Sequence, residues 1–145
     1  MPAFVYPDPY LRRILRETKT IALVGASPNP DRPSWQVMTY MQSAGYRIIP
    51  VNPGQAGNTI HGETIYETLS AVPDSYDMVD VFRASSAVAA IVDESIGLAK
   101  EKGIRTIWMQ LGVYDTIAAN RARRAKLDVI MCRCPKIEIE RLRKI

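Results

Sequence analysis

The chain has 145 residues, 47% apolar and 23% charged, with a net charge of +4. That is one ordinary globular domain by size, long enough to bury a real core. The mild positive charge suits an anionic small molecule and does not by itself indicate nucleic acid.

No apolar run reaches the roughly 18 residues that a membrane helix needs. The N-terminus, Met1-Pro2-Ala3-Phe4-Val5-Tyr6-Pro7, has neither the charged start nor the apolar centre of a signal peptide. The default location is therefore cytoplasmic, with no membrane partner.

In chain order, Asp8-Pro9 reads as an N-cap and first helical residue. Leu11, Ile14 and Leu15 then give an apolar helical face, with Arg12, Arg13 and Arg16 on a solvated one. Residues 1–19 form a helical extension of a single domain spanning 1–145.

The stretch Thr20 to Ser34, TIALVGASPNPDRPS, organises the rest of the chain. Ile21 to Val24 predicts a buried strand, Gly25 a tight turn, and Ser34 the N-cap of the next helix. Strand, glycine turn and helix start make a phosphate-binding unit, because the first turn of a helix leaves N–H groups unpaired and carries partial positive charge. The dinucleotide fingerprint GxGxxG is absent: Ser27 and Pro30 stand where glycines belong.

Val37, Met38, Met41 and Ala44 keep helical spacing up to Gly45. Arg47 to Val51 is the second strand, with Pro50 making its end irregular or opening it into a loop. Asn52-Pro53-Gly54 is a turn. An NAD-binding domain would place an acidic residue here for the ribose, so Asn52 and Pro53 count again against NAD.

Gln55 to Glu63 reads as a polar loop with a short edge strand at Thr59-Ile60, and His61 as a loop histidine. Ile65 to Val72 reads as a short helix. Met78 to Phe82 is a strand with Asp80 inside it. A carboxylate there needs partners, which predicts a place near the strand end or a bond to a neighbouring loop.

Val88, Ile91, Val92, Ile96 and Ala99 mark a long helix, capped by Ser85 or Ser86 and ended by Gly103. Thr106 to Met109 is a strand leaving through Gln110-Leu111-Gly112. Asp115 caps a helix with Ile117, Ala118, Ala122 and Ala125 inward. Asp128 to Met131 is the last strand, and Pro135 starts a charged helix with Glu138–Arg141 and Glu140–Lys144 at pairing distance. Cys132 and Cys134 lack a zinc spacing and a nearby histidine, so they read as reduced structural thiols and no metal is expected.

Alternating strands and helices define an α/β class: a Rossmann-like, doubly wound parallel sheet with helices on both faces. Its switch point lies between the first strand and the strand at Met78. Ligands bind there, beyond the carboxyl ends of the strands. The loops meeting there bring together Ser27, Arg32, Asn52, Arg83 and backbone N–H groups. This set suits phosphate and nucleotide and contains no nucleophile–base pair or paired carboxylates.

VGASPNPDRPS, IIPVNPG, VDVFR, WMQLGV and CRCPKIEIERL together resemble the small stand-alone coenzyme A-binding proteins. Those are similar to the CoA-binding N-terminal domain of the succinyl-CoA synthetase alpha subunit. The resemblance runs from Thr20 to Leu142, and the first helix lies outside it. It implies coenzyme A, or an acyl-CoA, at the switch point. Gly25, Ala26, Ser27 and the helix entered at Ser34 would hold the phosphates, with Arg32 at a basic loop position. Val51, Asn52 and Pro53 would lie along the nucleotide, and Phe82 and Arg83 would border it. Cys132 departs from the acidic residue that relatives often carry before the arginine of RCPK.

The reading is a binding protein without catalysis of its own. Two alternatives stay open. One is an enzyme or enzyme subunit, acyl-CoA ligase-like or nucleotide-dependent, that needs a partner. The other is a protein whose bound nucleotide regulates an interaction. By the resemblance, the phosphorylated histidine of the ligase reaction belongs to a following domain, and His61 does not replace it.

Overall fold

The computed structural model describes residues 4–143. Five parallel strands form one sheet: β1 (Thr20–Val24), β2 (Arg47–Val51), β5 (Met78–Val81), β6 (Thr106–Met109) and β7 (Asp128–Ile130). Their order is β2-β1-β5-β6-β7. The chain leaves β1 to one side and β5 to the other, so the switch point falls between β1 and β5 as expected. A separate two-stranded ribbon pairs β3 (Thr59–Ile60) with β4 (Glu63–Thr64).

Successive strand residues point to opposite faces, and each face meets its own helices. Ile21, Leu23, Ile48, Met78, Trp108 and Ile130 face α1 (Asp8–Glu17), α2 (Pro33–Ser43) and α5 (Pro135–Arg143). Ala22, Val24, Ile49, Val81, Ile107 and Val129 face α3 (Val88–Lys102) and α4 (Thr116–Arg124). Each large side chain of this kind, fully buried, stabilises the fold by about 1.5–3 kcal/mol. Trp108 is wholly buried, and its indole N–H donates to the Arg133 carbonyl at 2.8 Å.

Several local expectations shift. Pro7 caps α1, so Asp8 is already helical. Arg13 is not simply solvated: it pairs with Asp128 at 3.1 Å and Glu17 at 3.4 Å. β2 runs straight through Pro50, which pairs with Leu23. The strand lies at the sheet edge and the Pro50 carbonyl points outward to Tyr66, so its missing N–H also faces away from β1.

Ile65 to Val72 is not a helix. The Ile65 and Tyr66 N–H groups donate across to Asn58 and Pro50, which fixes extended backbone, and Thr68 then opens a turn. Ile65, Leu69 and Val72 are nonetheless buried. Neither serine caps α3: a 3-10 turn over Ser85–Ala87 precedes it, and the Ser85 hydroxyl instead accepts from the Tyr114 N–H at 3.1 Å. Gly103 ends α3 in the left-handed region.

Asp115 caps α4 as expected, accepting from Ala118 N–H at 3.0 Å. The buried stripe is Ala118, Ala119 and Ala122, whereas Ile117 and Ala125 are exposed. Glu138 pairs with Arg141 at 3.1 Å, but it is buried and also meets Arg133. The Glu140–Lys144 pair lies outside the described residues. Both cysteines are buried and free of disulfide. Cys132 closes β7 with φ +58°, and its Sγ accepts from the Gly112 N–H.

Candidate ligand cleft

The cleft opens at the carboxyl ends of the strands and encloses about 810 Å³. Its walls are the loop from Gly25 to Ser34, the turn from Asn52 to Gln55, Phe82-Arg83, and the exit of β6 through Gln110, Leu111 and Val113. Nine of the ten expected site residues line it: Gly25, Ala26, Ser27, Arg32, Ser34, Asn52, Pro53, Phe82 and Arg83.

Val51 is the exception. It is buried in the sheet, and its carbonyl accepts from the N–H groups of Gly25 (2.9 Å) and Ala26 (3.3 Å). It fixes the loop from beneath rather than facing the cleft. Gly25 has φ +93°, which favours glycine, and a Cβ there would stand 2.4 Å from the Phe82 carbonyl oxygen. The space a side chain would need belongs to the neighbouring backbone, not to the cleft.

Ser34 is not the N-cap. Arg32 takes that place with extended backbone, Pro33 is the first helical residue, and Ser34 is the second. The residue before a proline is driven out of the helical region, so Pro33 sets the boundary. The N–H of Ser34 makes no hydrogen bond among the described residues, leaving an open donor at the start of α2.

Asn52 braces rather than reaches. Its side-chain N–H donates to the Ala26 carbonyl at 2.7 Å, and its oxygen accepts from Gly54 N–H at 2.9 Å. The two loops are thereby tied across the mouth of the switch point. Ser27 accepts from Asn29 N–H at 3.1 Å, which leaves its own hydroxyl proton available.

Arg32 and Arg83 are exposed and form no ion pair or side-chain hydrogen bond among the described residues. Arg83 does not pair with Asp80, the buried acid of the strand it leaves. Asp80 lies between Leu23 and Trp108, 1% exposed, and its Oδ1 has no partner. Burial pushes its carboxyl well above the ordinary range. Asp80 is the third of the four residues of β5, one short of the carboxyl end of the strand, but no neighbouring loop supplies the expected hydrogen bond.

Gln55 and Val113 are lining residues that sequence reasoning missed. Gln55 lies just past the IIPVNPG motif and Val113 ends the WMQLGV motif without having been singled out; each arrives through a turn that only the folded chain closes. Gln110 Oε1 is buried at the cleft with no donor. Its place after β6 was legible; its side-chain direction was not. His61 lies on the β3–β4 turn, where Nε2 meets Thr39 Oγ1 at 2.8 Å and the ring packs on Trp35. Among the described residues no cluster could hold a metal ion, and no helix is long and apolar enough to cross a membrane.

A doubly wound sheet with an open cleft at its switch point defines a Rossmann-like ligand-binding domain. The chain belongs to the CoA-binding domain family, whose model matches residues 19–140. It is 34% identical over 127 residues to the uncharacterized protein YneT of Bacillus subtilis, covering 88% of this chain and 90% of that one. It is also similar to the crystal structure of Prb, the PH1109 protein redesigned for binding. That match has 35% identity and a TM-score of 0.89, covering 99% of this chain and 97% of the other. A Thermus thermophilus structure, cell-free ID.343, matches with 33% identity and a TM-score of 0.87, covering 94% and 99%.

Proposed function

We propose that the protein holds coenzyme A or an acyl-CoA in this cleft and performs no chemistry of its own on it. Family membership supports the ligand class. The observation that carries the reading is the lining itself. Two arginines without acidic partners, the open N–H at the start of α2 and the free proton of Ser27 converge there, and no carboxylate, histidine or cysteine is among the lining residues. Such a wall attracts a polyanion and offers no acid, base or nucleophile pair.

In this reading Gly25, Ala26, Ser27 and the first turn of α2 receive the phosphates. Arg32 and Arg83 supply charge from either side. Pro53 and Phe82 give apolar contact. Asn52 keeps the two loops in register. NAD is disfavoured because β2 ends in Asn52-Pro53 rather than a carboxylate for the ribose.

Calorimetric titration of the purified chain with CoA, acetyl-CoA and NAD tests this. CoA or acetyl-CoA should bind at least tenfold more tightly than NAD. Equal or tighter NAD binding would sink the proposal.

A further inference from the structure

A second recess lies on the other end of the molecule, where α1, the turn after α2 and the end of α5 meet. It encloses about 350 Å³. Its floor is apolar: Leu15 of α1 with Ile139 and Leu142 of α5. Tyr46 closes one side, and its hydroxyl is already spent on the Leu15 carbonyl at 2.6 Å, so it too presents an apolar ring.

Three arginines stand around this floor: Arg12 and Arg16, one turn apart on α1, and Arg143 on α5. None has an ion pair or side-chain hydrogen bond among the described residues. The contrast with their neighbours is direct. Arg13 on the same helix is paired with Glu17 and Asp128, and Arg141 on α5 with Asp8 and Glu138. Arginines that could find an acid in this region have done so; those facing the recess have none.

We propose that this recess is a docking site for an acidic segment of a partner protein. One apolar side chain would enter the floor, and flanking carboxylates would meet Arg12, Arg16 and Arg143. Arginine around an apolar pocket is the usual composition of an interface centre, and three cations on two helices call for several separate carboxylates. The other occupants fit less well. Leu15, Ile139 and Leu142 are 7%, 6% and 8% exposed, so they are recessed and cannot insert into a bilayer as a membrane-lying helix does. A second copy docked about a two-fold axis would set arginine against arginine. The recess is at the opposite end of the sheet from the cleft, so the proposal stands apart from the coenzyme reading.

The test is a nuclear magnetic resonance titration of the full chain with the peptide acetyl-EELEE-amide, using acetyl-EEAEE-amide as control. The leucine peptide should move the methyl signals of Leu15, Ile139 and Leu142, bind at least threefold more tightly than the alanine peptide, and weaken as salt rises. The double variant Arg12→Glu/Arg16→Glu should weaken it at least fivefold with CoA affinity unchanged. If that variant loses its native spectrum, Arg143→Glu takes its place with the same expectation. No response at the three methyls, equal binding of the two peptides, or binding indifferent to charge reversal would overturn the proposal. So would a parent protein that ignores the peptide but sediments with phosphatidylglycerol vesicles.

Discussion

At the amino ends of the strands, Arg105 reaches Glu17 and Asp77, Arg47 reaches Glu63 and Asp74, and Arg13 reaches Glu17 and Asp128. Asp77 also accepts from the N–H groups of Lys19 and Thr20. At the carboxyl ends, Arg32 and Arg83 reach no acid among the described residues. The same residue type thus serves two purposes. At the strand starts Arg13, Arg47 and Arg105 are neutralised within the chain, while Arg12, Arg16 and Arg143 around the second recess are not. Where the cleft opens, charge is left over. The pairing around an arginine, rather than its exposure, separates the two roles, since Arg47 and Arg105 are half-exposed as well.

The largest effect that would probe this contrast is Gly25→Val. A β-branched residue at φ +93° is strained, and its Cβ would strike the Phe82 carbonyl. We expect a loss of several kcal/mol in stability, seen as a large drop in thermal midpoint, with CoA affinity falling too. A folded variant that binds CoA as the parent does would remove this loop from the site.

Next come the arginines. Arg32→Ala and Arg83→Ala should each cost about 1.5–3 kcal/mol of CoA binding, the worth of a charge-assisted hydrogen bond, or roughly 10- to 150-fold. Arg105→Ala should leave CoA affinity unchanged and lower stability slightly, since exposed pairs are worth about 0–1 kcal/mol. Calorimetry and thermal melting on the three variants check this. A change in affinity for Arg105→Ala equal to that for Arg83→Ala would erase the distinction between the ends.

Asp80 lies between the two regions and has neither kind of partner. Its folded-state pKa is raised by burial, while in the unfolded chain it ionises near the ordinary value of 3.8. Above that value the folded chain therefore binds more protons than the unfolded one. Stability must fall as pH rises from 3.8 toward the raised value. Asp80→Asn, which cannot ionise, should remove this loss. Its advantage over the parent should grow as pH rises above about 4. Thermal melts across that range measure it; a parent that gains stability relative to the variant as pH rises would contradict the sign.

The smallest effect should be Ser27→Ala. Most of the proposed phosphate contact comes from backbone, so the loss should be about one hydrogen bond, roughly 0.5–1.5 kcal/mol of CoA binding. A loss beyond a hundredfold would mean that side chains carry the site.

Much of this was legible in the sequence where a single local cause decides the structure. Four-residue apolar runs such as Thr106 to Met109 mark the strands, Gly25 and Gly103 mark the turns, and Asp115 marks a cap, because each acts through its own backbone. The sequence pointed to Ser34 as the cap, but a proline at the first helical position, Pro33, is the stronger boundary. Ile65 to Val72 failed for a different reason. Its apolar spacing suits a helix, but hydrogen bonds to Pro50 and Asn58, distant or across the ribbon, hold it extended.

In the cleft, chain order and the switch-point rule named the loops, and motif resemblance named the residues. What they could not convey is direction. Val51 turns its carbonyl to the loop and its side chain to the core. Asn52 spends both ends of its amide on its neighbours. Gln110 carries a buried oxygen with no donor. Those outcomes depend on which loop lies opposite, and no local pattern encodes that.

The outward carbonyl of Pro50 has a consequence for self-assembly. An edge strand with free backbone groups is a template for another chain to extend the sheet, a route to aggregation and strand exchange. Here Tyr66 occupies that edge, taking the Asn52 N–H and giving its own N–H to Pro50. Between those two bonds, Pro50 has no donor to offer. The border of the sheet beside the cleft is sealed against strand addition, so the loops that form the cleft can stay open without exposing a surface on which copies of the chain would polymerise.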